Sequence, residues 1–454
     1  MEPTPELLLR LARSGPRYTS YPTAPVWRPD FSPGEREAAF RAVGSPASVY
    51  VHLPFCQEQC WFCGCAMVVG TRRDVGAKYL DLLERQVAEL PLPAEQIDVA
   101  RIHLGGGTPT WYTPEELERL YAILYGRFRP IEGAEISVEA DPEITTDEQV
   151  DALAELGVNR LSLGVQSFDA RVLGAVNRPQ QATRVFAVLD RARSHGMYSL
   201  NVDLMYGLPH QTPESFAGTL DRILEARPDR LAIFGYAHVP WLKPHQKLID
   251  GDSLPDPVQR VDLFLQAHRR LVDAGYEAIG LDHFALPDDE LSVAQREGRL
   301  HRNFMGYTTR PGLELIGVGM SAISELRGAY VQEKSRLGRW ERAVESGAPS
   351  IEKGCTLTAE DHLRRDVINA LMCNFRVRIA EIEGMHGVDF REHFASEIEA
   401  LEPLEAQGLV ERDTDEIRVT DLGRLLVRNV AMTFDAYLRG PAARADKPRF
   451  SQTV

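Results

Sequence analysis

The chain lacks several features that define whole classes of protein. No run of residues approaches the ~18 consecutive apolar residues typical of a membrane-spanning helix. The N-terminus has no basic region followed by an apolar core and a cleavage site, so we predict no secretory signal and expect a cytoplasmic protein. Six cysteines in 454 residues are too few for a disulfide scaffold.

The chain also has fewer basic than acidic residues. The chain has 51 Lys and Arg against 66 Asp and Glu, for a net charge of −15. This balance disfavours nucleic acid or an anionic membrane as the main partner. An anionic substrate would therefore need a local cluster of cationic side chains.

The chain does contain a tight cluster of cysteines, in the stretch HLPFCQEQCWFCGC at 52–65. Cys56, Cys60 and Cys63 form a C-x3-C-x2-C motif, and Cys65 follows. Three thiolates on one loop can hold three irons of a [4Fe–4S] cluster and leave the fourth iron open to a small ligand. Structural zinc more commonly uses two separated C-x2-C pairs, and a group of buried thiols without metal is the remaining alternative.

Strands and helices alternate from about residue 47 to residue 285. The predicted strands are ASVYVHLPF, VARIHLGGG, EISVEADP, RLSLGVQSF, YSLNVDLMYGLP, RLAIFGYAHVP and YEAIGLDHF. This alternation predicts a parallel sheet with crossover helices, in a full or partial β/α barrel rather than an open doubly wound sheet. Functional residues should then collect at the C-terminal ends of the strands.

Polar residues interrupt three of these apolar strands. Glu139 ends ISVE, Gln166 ends LSLGVQ, and Asp203 lies in LNVDLM. Buried polar groups need partners, so each residue either contacts a ligand or makes a structural hydrogen bond within the barrel.

The pattern changes after residue 290. Residues 291–350 mix polar helix with Gly-rich turns, and residues 358–440 contain three helical runs and a hairpin, LVERDTDEIRVT, typical of a winged helix. The latter region has 17 acidic and 10 basic residues, which favours a packing or lid role over DNA binding. The predicted segments are 1–46 (an extension over the active site), 47–290 (the barrel), 291–357 (a connecting segment), 358–440 (a small helical domain) and 441–454 (a flexible tail).

The cysteine motif, placed after the first strand of a β/α fold, resembles that of the radical S-adenosylmethionine (SAM) enzymes. Within that superfamily, the chain from about 15 to 435 is similar to the oxygen-independent coproporphyrinogen III oxidases. The stretches that carry this resemblance are GPRYTSYPTAP at 15–25, the additional Cys65, HLGGGTPT at 103–110, GLDHFALPDDELSVAQREGRLHRNF at 280–304, GYTT at 306–309 and RRDVINALMCNF at 364–375. The fold expected from it is a partial, TIM-like radical SAM barrel with a small, winged-helix-like C-terminal domain.

The resemblance also implies cofactors and residue roles. It implies a [4Fe–4S] cluster on Cys56, Cys60 and Cys63, two SAM molecules, and Cys65 as a cysteine that is not a ligand. Tyr50, Gly106, Glu139 and Ile323 match positions that contact the SAM on the cluster, and Phe62, Gly107, Thr108, Gln166, Arg178, Asp203 and Ala237 match positions that contact the second SAM. Tyr50, Glu139, Met305 and Ile323 match positions near the reaction, for which we predict a catalytic role.

The activity that the resemblance implies is the anaerobic oxidative decarboxylation of two propionates of coproporphyrinogen III, which gives protoporphyrinogen IX. A 5′-deoxyadenosyl radical formed from SAM would start each reaction. The enzyme would need an electron donor and a terminal electron acceptor, and we expect a monomer. The substrate carries four carboxylates, and the candidate cations to meet them are Lys243, His245, His283, Arg302 and Arg310.

Two residues depart from the family pattern. Met305 in RNFMGYTT stands where the pattern has glutamine, and Leu286 in HFALPDDEL stands where it has arginine. Both changes remove polar contacts, so they bear on the orientation and even the identity of the substrate. The alternative functions are a haem-binding chaperone on the same framework, a radical SAM enzyme with another substrate, and a winged-helix regulator with a redox cluster.

Overall fold

The computed structural model describes residues 3–70, 72–439 and 451–453 of the chain. The chain divides into two compact units, each built from separate stretches of sequence. The first, here called the sheet unit, comprises Arg28–Pro255 and Gly312–Thr356. The second, here called the helical unit, comprises Met1–Trp27, Asp256–Pro311 and Leu357–Val454. The five segments predicted above follow a different division and remain a prediction.

The strands and helices of both units are numbered together in chain order. The strands are β1 (Ala47–Leu53), β2 (Phe55–Cys56), β3 (Val68–Val69), β4 (Ile97–Gly106), β5 (Phe128–Ala140), β6 (Arg160–Gln166), β7 (Ser199–Tyr206), β8 (Arg230–Gly235), β9 (Glu277–Gly280), β10 (His283–Ala285), β11 (His301–Asn303), β12 (Gly306–Thr308), β13 (Leu315–Val318), β14 (Ile323–Leu326), β15 (Ala329–Glu333), β16 (Ile351–Thr356), β17 (Arg376–Arg378), β18 (Val410–Arg412) and β19 (Glu416–Val419). The helices are α1 (Pro5–Leu11), α2 (Pro33–Arg41), α3 (Arg73–Ala88), α4 (Pro114–Arg127), α5 (Asp147–Glu155), α6 (Ala170–Gly174), α7 (Ala182–Ser194), α8 (Pro213–Ala226), α9 (Pro257–Asp273), α10 (Glu290–Arg296), α11 (Leu337–Glu345), α12 (Ala359–Asn374), α13 (Ile379–His386), α14 (Phe390–His393), α15 (Ala395–Ala400), α16 (Glu402–Ala406), α17 (Asp421–Leu425) and α18 (Val427–Ala431). In the part of the chain that the structure describes, no helix combines the length and the apolar character that crossing a membrane requires.

Ten strands of the sheet unit belong to one large sheet, in the order β16-β15-β14-β13-β1-β4-β5-β6-β7-β8. Strand β13, strand β1 and strands β4 to β8 are parallel neighbours, which confirms the predicted partial β/α barrel. Helices α3 to α8 connect the parallel strands, as the alternation predicts. The carboxyl ends of β1 and β4 to β8 therefore share one edge, and this edge carries the candidate site.

The helix starts follow the signals in the sequence. At the start of α4, the hydroxyl of Thr113 accepts a hydrogen bond from the backbone N–H of Glu116, and the Glu116 carboxylate accepts one from the backbone of Thr113. Proline occupies the first turn, where its missing N–H costs nothing. This reciprocal cap fixes the start of the helix that follows β4.

The seventh predicted strand, YEAIGLDHF, is wrong as one continuous strand. It forms two short strands, β9 and β10, that pair antiparallel with each other in the helical unit. Gly280 and Leu281 have positive φ angles of 149° and 49°, and this backbone ends β9 after four residues. A local turn, which apolar periodicity does not show, thus divides the run.

The expectation of polar helix and turns over 291–350 is also wrong in part. Strand β13 runs parallel to β1, and β14, β15 and β16 extend the sheet antiparallel beyond it. These strands are four to six residues long, so each offers too few alternating positions for a periodicity to show.

In the helical unit, α12 begins at a capping box on Thr358 and Asp361. Strands β17, β19 and β18 form a small antiparallel sheet, and the β18–β19 pair confirms the hairpin predicted in LVERDTDEIRVT. The helical run at 394–407 forms two short helices, α15 and α16, because Pro403 occupies the first turn of α16. The predicted tail, 441–454, lies largely outside the described residues.

Candidate active site and cofactor cavity

The cysteine loop leaves the carboxyl end of β1 and is closed by a short parallel pair, β2 with β3. Cys56, Cys60 and Cys63 are half-buried. Together with Cys65, they line a cavity of about 400 Å³ in the sheet unit. The loop thus places all three predicted ligands on one cavity, as the C-x3-C-x2-C spacing indicates.

Each of the three sulfurs accepts a hydrogen bond. The Thr108 hydroxyl donates to the Cys56 sulfur at 3.3 Å, and Arg178 Nη1 donates to the Cys60 sulfur at 3.3 Å. The Cys63 sulfur lies 3.4 Å from the backbone N–H of Cys65, which donates to it. Donors to thiolate sulfur stabilise its negative charge and tune the metal that it binds, so this arrangement fits an iron–sulfur cluster.

The thiols differ in acidity. Burial raises the pKa of Cys56 to about 12, against the lowering effect of Thr108. Hydrogen bonding from Cys65 lowers the pKa of Cys63 to about 6, although burial acts in the opposite direction. Binding of iron would ionise all three thiols. In the structure, the backbone N–H of Cys65 thus donates to the sulfur of Cys63, and the place of Cys65 outside the ligand set stays a prediction.

The end of β4 brings backbone close to the cavity. Gly106 has φ of 111°, a conformation that side chains rarely adopt. A Cβ on Gly107 would lie 2.6 Å from the Pro54 backbone, and one on Gly105 would lie 2.9 Å from the Glu139 carboxylate. Only glycine fits at these positions, and Gly106 and Gly107 line the cavity with exposed backbone.

Glu139, near the end of β5, presents its carboxylate to the cavity with 44% of its side chain exposed. Its oxygens accept a hydrogen bond from the Gly106 N–H at 3.1 Å and lie 3.4 Å from His103 Nε2. Burial raises the pKa of Glu139, but His103 and Gly106 outweigh it and hold the pKa below its usual value. The site therefore contains an ionised carboxylate that can bind a cationic group.

The opposite wall of the cavity is formed by β6, β7 and the segment that leads into α7. Gln166 has φ of 67° and a buried Oε1 without a hydrogen-bond partner, which leaves an acceptor for a ligand. Asp203 accepts a hydrogen bond from Asn201 Nδ2 at 2.7 Å. Arg178 lies 3.1 Å from the Asp141 carboxylate and also donates to the Gly164 carbonyl.

Most of the predicted residues share this cavity. Those that line it are Cys56, Cys60, Phe62, Cys63, Gly106, Gly107, Thr108, Glu139, Gln166, Arg178 and Asp203. Tyr50 lies behind them: its hydroxyl is 3.0 Å from His52 Nδ1, and its ring stacks on His103 at 5.9 Å. It therefore adjoins the site through the histidine that holds Glu139.

Three further predicted residues do not line the cavity. Gln246 Nε2 donates to the Ala237 carbonyl at 3.2 Å and to the Phe62 carbonyl at 3.3 Å, which places Ala237 beside the cysteine loop. Ile323 begins β14, where its backbone packs so closely on Gly317 that a Cβ there would lie 2.5 Å from the Ile323 oxygen. Met305 belongs to the helical unit, where its N–H donates to Asn303 Oδ1 at 2.9 Å in the β11–β12 turn.

The candidate substrate cations have partners of their own. In the sheet unit, Lys243 donates to the Gly64 carbonyl, and His245 Nε2 lies 2.8 Å from the Cys63 oxygen. In the helical unit, Arg302 donates to the Arg17 carbonyl, and His283 Nδ1 lies 3.0 Å from Asp282. Arg310, in the same unit, donates its backbone N–H to the Thr308 hydroxyl at 3.2 Å.

Sequence reasoning missed several residues of the cavity wall. They include Met67, Asp141, Glu143, Ser162, Asn177 and Phe234. Asp141 follows Glu139 by two residues and precedes a proline at the end of a strand, which is a recognisable signal. The others lack one, because strand length and the entry into α7 determine where they lie.

The comparisons with known proteins agree with this geometry. Residues 50–223 match the model of the radical SAM superfamily, and residues 357–426 match that of the HemN C-terminal domain. The chain is 45% identical to an oxygen-independent coproporphyrinogen III oxidase of Salmonella typhimurium, over 99% of this chain and 98% of the relative. A relative of the same name from Escherichia coli K12 is 44% identical, with the same coverage. The chain belongs to the oxygen-independent coproporphyrinogen III oxidase family.

A solved structure supports the membership at the level of the fold. Coproporphyrinogen III oxidase (HemN) from Escherichia coli, described as a radical SAM enzyme, superposes with a TM-score of 0.90 at 44% identity. The match covers 93% of this chain and 97% of that one. The barrel with a helical C-terminal region is therefore the fold of the family.

Membership of the radical SAM superfamily implies a [4Fe–4S] cluster and SAM. The site has features that fit these groups. The three cysteine sulfurs, each with a hydrogen-bond donor, fit the cluster. The glycines at residues 105–107 and the unpartnered Gln166 oxygen fit SAM. Among the described residues, no group of three or more His, Cys, Asp or Glu side chains is placed to hold a single metal ion.

Proposed function

We propose that this protein decarboxylates two propionate side chains of coproporphyrinogen III to vinyl groups in the absence of oxygen and so produces protoporphyrinogen IX. The observation that carries the proposal is a single cavity lined by the three cysteines of the C-x3-C-x2-C loop and by Gly106, Glu139, Gln166 and Asp203. Relatives over nearly the whole chain bear the name of this enzyme.

The cluster and SAM, when bound, supply one-electron cleavage that yields a 5′-deoxyadenosyl radical able to take hydrogen from a propionate. Cys56, Cys60 and Cys63 hold the iron. The ionised Glu139 carboxylate, fixed by His103 and Gly106, binds the ammonium group of SAM. The glycines at the end of β4, residues 105–107, let backbone N–H groups approach the carboxylate of SAM.

We further propose two SAM molecules in this site. Gly106 and Glu139 serve the first SAM together with Tyr50, which adjoins them through His52 and His103. The unpartnered Gln166 oxygen and Asp203, on β6 and β7, serve the second. A ribose hydroxyl can donate to either group.

The proposal also covers the substrate, the electron transfers and the segments of the chain around the site. Coproporphyrinogen III is the substrate, one protein supplies electrons to the cluster, and another species accepts the electrons released by decarboxylation. We expect a monomer in the cytoplasm, with residues 1–46 over the active site and residues 358–440 as a lid or packing domain. Tyr50, Glu139, Met305 and Ile323 remain the predicted residues nearest to the reaction.

An anaerobic assay tests the activity. Protein reconstituted with iron and sulfide is incubated with SAM, a chemical reductant and coproporphyrinogen III, and the products are oxidised and identified as porphyrins. We expect protoporphyrin, together with 5′-deoxyadenosine and methionine. Haem binding without decarboxylation would favour the chaperone, and 5′-deoxyadenosine formation without any protoporphyrin would favour another substrate.

The ligand set has its own test. Cys56→Ser, Cys60→Ser and Cys63→Ser should each lose the cluster absorption, while Cys65→Ser should retain about four irons. Loss of iron in Cys65→Ser together with its retention in Cys63→Ser would overturn the assignment. Dialysis of the reconstituted protein against labelled SAM should give two molecules bound per chain, and a single bound molecule would reject the second site.

A further inference from the structure

An exposed apolar stretch lies in the segment that follows β8 in the sheet unit. Trp241, Leu242 and Leu248 have 55%, 67% and 60% of their surface exposed. We call residues 241–248 the 241–248 patch. Clustered large apolar side chains on the surface commonly mark a site where another molecule binds.

The 241–248 patch directly contacts the loop that carries the cluster cysteines. Lys243 Nζ donates to the Gly64 carbonyl, and His245 Nε2 lies 2.8 Å from the Cys63 oxygen. Gln246 Nε2 donates to the Phe62 oxygen at 3.3 Å. Three successive carbonyls of the cysteine loop are thus held by side chains of the patch, so a molecule docked on the patch lies close to the cluster ligands.

The patch rests on a packed base. Ile249 and Tyr236, on either side of it, are buried with Val172, Val176 and Leu208. Gln246, within it, is almost completely buried. The surface is therefore formed before any partner binds, which reduces the entropy lost on association.

The charge of this segment differs from that of the chain. Residues 236–248 contain two of the six lysines of the protein, Lys243 and Lys247, and two histidines, but no aspartate or glutamate. The chain as a whole has a net charge of −15. Asp250 and Asp252 follow the patch, so the positive charge is confined to residues 243–247, where it attracts an acidic partner to an otherwise acidic protein.

We propose that the 241–248 patch is the docking surface for a small, acidic, one-electron carrier protein that reduces the cluster. This inference rests on the proposed function, because cleavage of each SAM requires one electron. The reduced carrier loses that electron and the oxidised cluster gains it, and no atom is transferred. The apolar side chains form the dry centre of the contact, and Lys247 forms part of its charged rim.

The experiment uses the reconstituted full-length protein, with reduced flavodoxin as an acidic carrier probe. Lys247→Glu and Trp241→Ala should each weaken flavodoxin binding by about tenfold, as measured by titration calorimetry at low salt. Stopped-flow absorbance should show slower cluster reduction by flavodoxin in both variants. Raising the salt concentration should weaken binding to the wild type more than binding to Lys247→Glu.

Two control variants match these changes. Arg327→Glu makes the same change in charge at an exposed position in the β14–β15 turn, and Val272→Ala truncates an exposed side chain of α9. Both should bind flavodoxin like the wild type. Circular dichroism and iron content should be unchanged in all four variants.

Dithionite separates this inference from the proposed function. With dithionite as reductant, Lys247→Glu and Trp241→Ala should cleave SAM at the wild-type rate, since the chemical reductant needs no docking surface. An enzyme that acts on another substrate would still show the binding defect, so that result would refute the proposed function alone. Wild-type protein that does not bind flavodoxin, or an equal loss in Arg327→Glu, would overturn the docking surface.

Discussion

Strand β5 carries two glutamates with opposite environments, Glu135 in its middle and Glu139 near its carboxyl end. Glu135 and Glu139 are four residues apart, so they point to the same face of the strand. Glu135 lies 2.8 Å from Arg101 Nε and 3.6 Å from Arg160 Nη1, and all three residues are less than 10% exposed. Glu139 instead contacts a histidine and a backbone N–H, and it opens to the cavity.

The pKa of each carboxyl follows from these surroundings. Burial raises the pKa of Glu135, but Arg101 and Arg160 outweigh it and lower the pKa to about 2. A histidine and a backbone N–H keep Glu139 ionised. They do not neutralise its charge as the two arginines neutralise that of Glu135. A carboxylate in an apolar strand is therefore structural at the amino end of this barrel and available to a ligand at the carboxyl end.

The largest expected effect concerns Glu135, which is paired with two buried arginines. Glu135→Gln leaves Arg101 and Arg160 buried without their shared counter-charge, so it should lower the free energy of unfolding by about 3–5 kcal/mol. Urea unfolding measures this, with exposed Glu118→Gln as the control. The wild-type contribution should be present above about pH 4.5 and be lost as the pH falls towards 2, because the folded-state pKa is depressed. A loss below 1 kcal/mol would mean that the arginines find other partners.

A third carboxylate of the same sheet tests whether the number of arginines matters. Glu333 on β15 pairs with one arginine among the described residues, Arg36 at 3.5 Å. Burial raises the pKa of Glu333 from 4.5 to about 7, against the lowering effects of Arg36 and Ser350. Its raised folded-state pKa means that stability is complete below about pH 4.5 and is lost as the pH rises through 7.

Glu333→Gln should remove this pH dependence. Relative to the wild type, the variant should gain about 3 kcal/mol in unfolding free energy between pH 4.5 and pH 8. Urea unfolding at both pH values measures it, again against Glu118→Gln. Parallel pH profiles for the variant and the wild type would show that Glu333 is already ionised in the folded protein.

Glu139, which faces the cavity, should respond in the opposite way to substitution. Glu139→Gln should leave the urea midpoint close to that of the wild type and weaken SAM binding by about 10- to 100-fold, since a charge-assisted hydrogen bond is lost. Equilibrium dialysis on the reconstituted protein measures the affinity. If Glu139→Gln destabilised the fold as much as Glu135→Gln, the distinction between the two glutamates of β5 would fail.

The smallest expected effect concerns Met305, where the family pattern has a polar residue. Methionine offers only a weak acceptor, whereas glutamine can hydrogen-bond SAM or a propionate. Met305→Gln should raise porphyrinogen turnover relative to unproductive SAM cleavage by about tenfold, measured as protoporphyrin formed per 5′-deoxyadenosine. Lower turnover in the glutamine variant would show that other residues of the site are adapted to methionine at position 305.

Local sequence determined much of this protein. The C-x3-C-x2-C spacing identifies the cluster loop because three thiolates on so short a loop have few other uses, and the period of the apolar runs identifies the six strands β1 and β4 to β8. Thr113 and its capping box mark a helix start because the interacting groups are three residues apart. Each of these signals lies within one short stretch of chain.

Long-range pairing decided the rest. Glu135 and Glu139 look alike in the sequence, and their difference depends on which residues of β4 and β6 lie opposite them. Strand β13 joins the barrel beside β1 from more than 260 residues away, and Gln246 reaches the cysteine loop from a segment 184 residues distant. Such contacts leave no local pattern, because the partner of each group is set by the register and closure of the sheet and not by its neighbours in the chain.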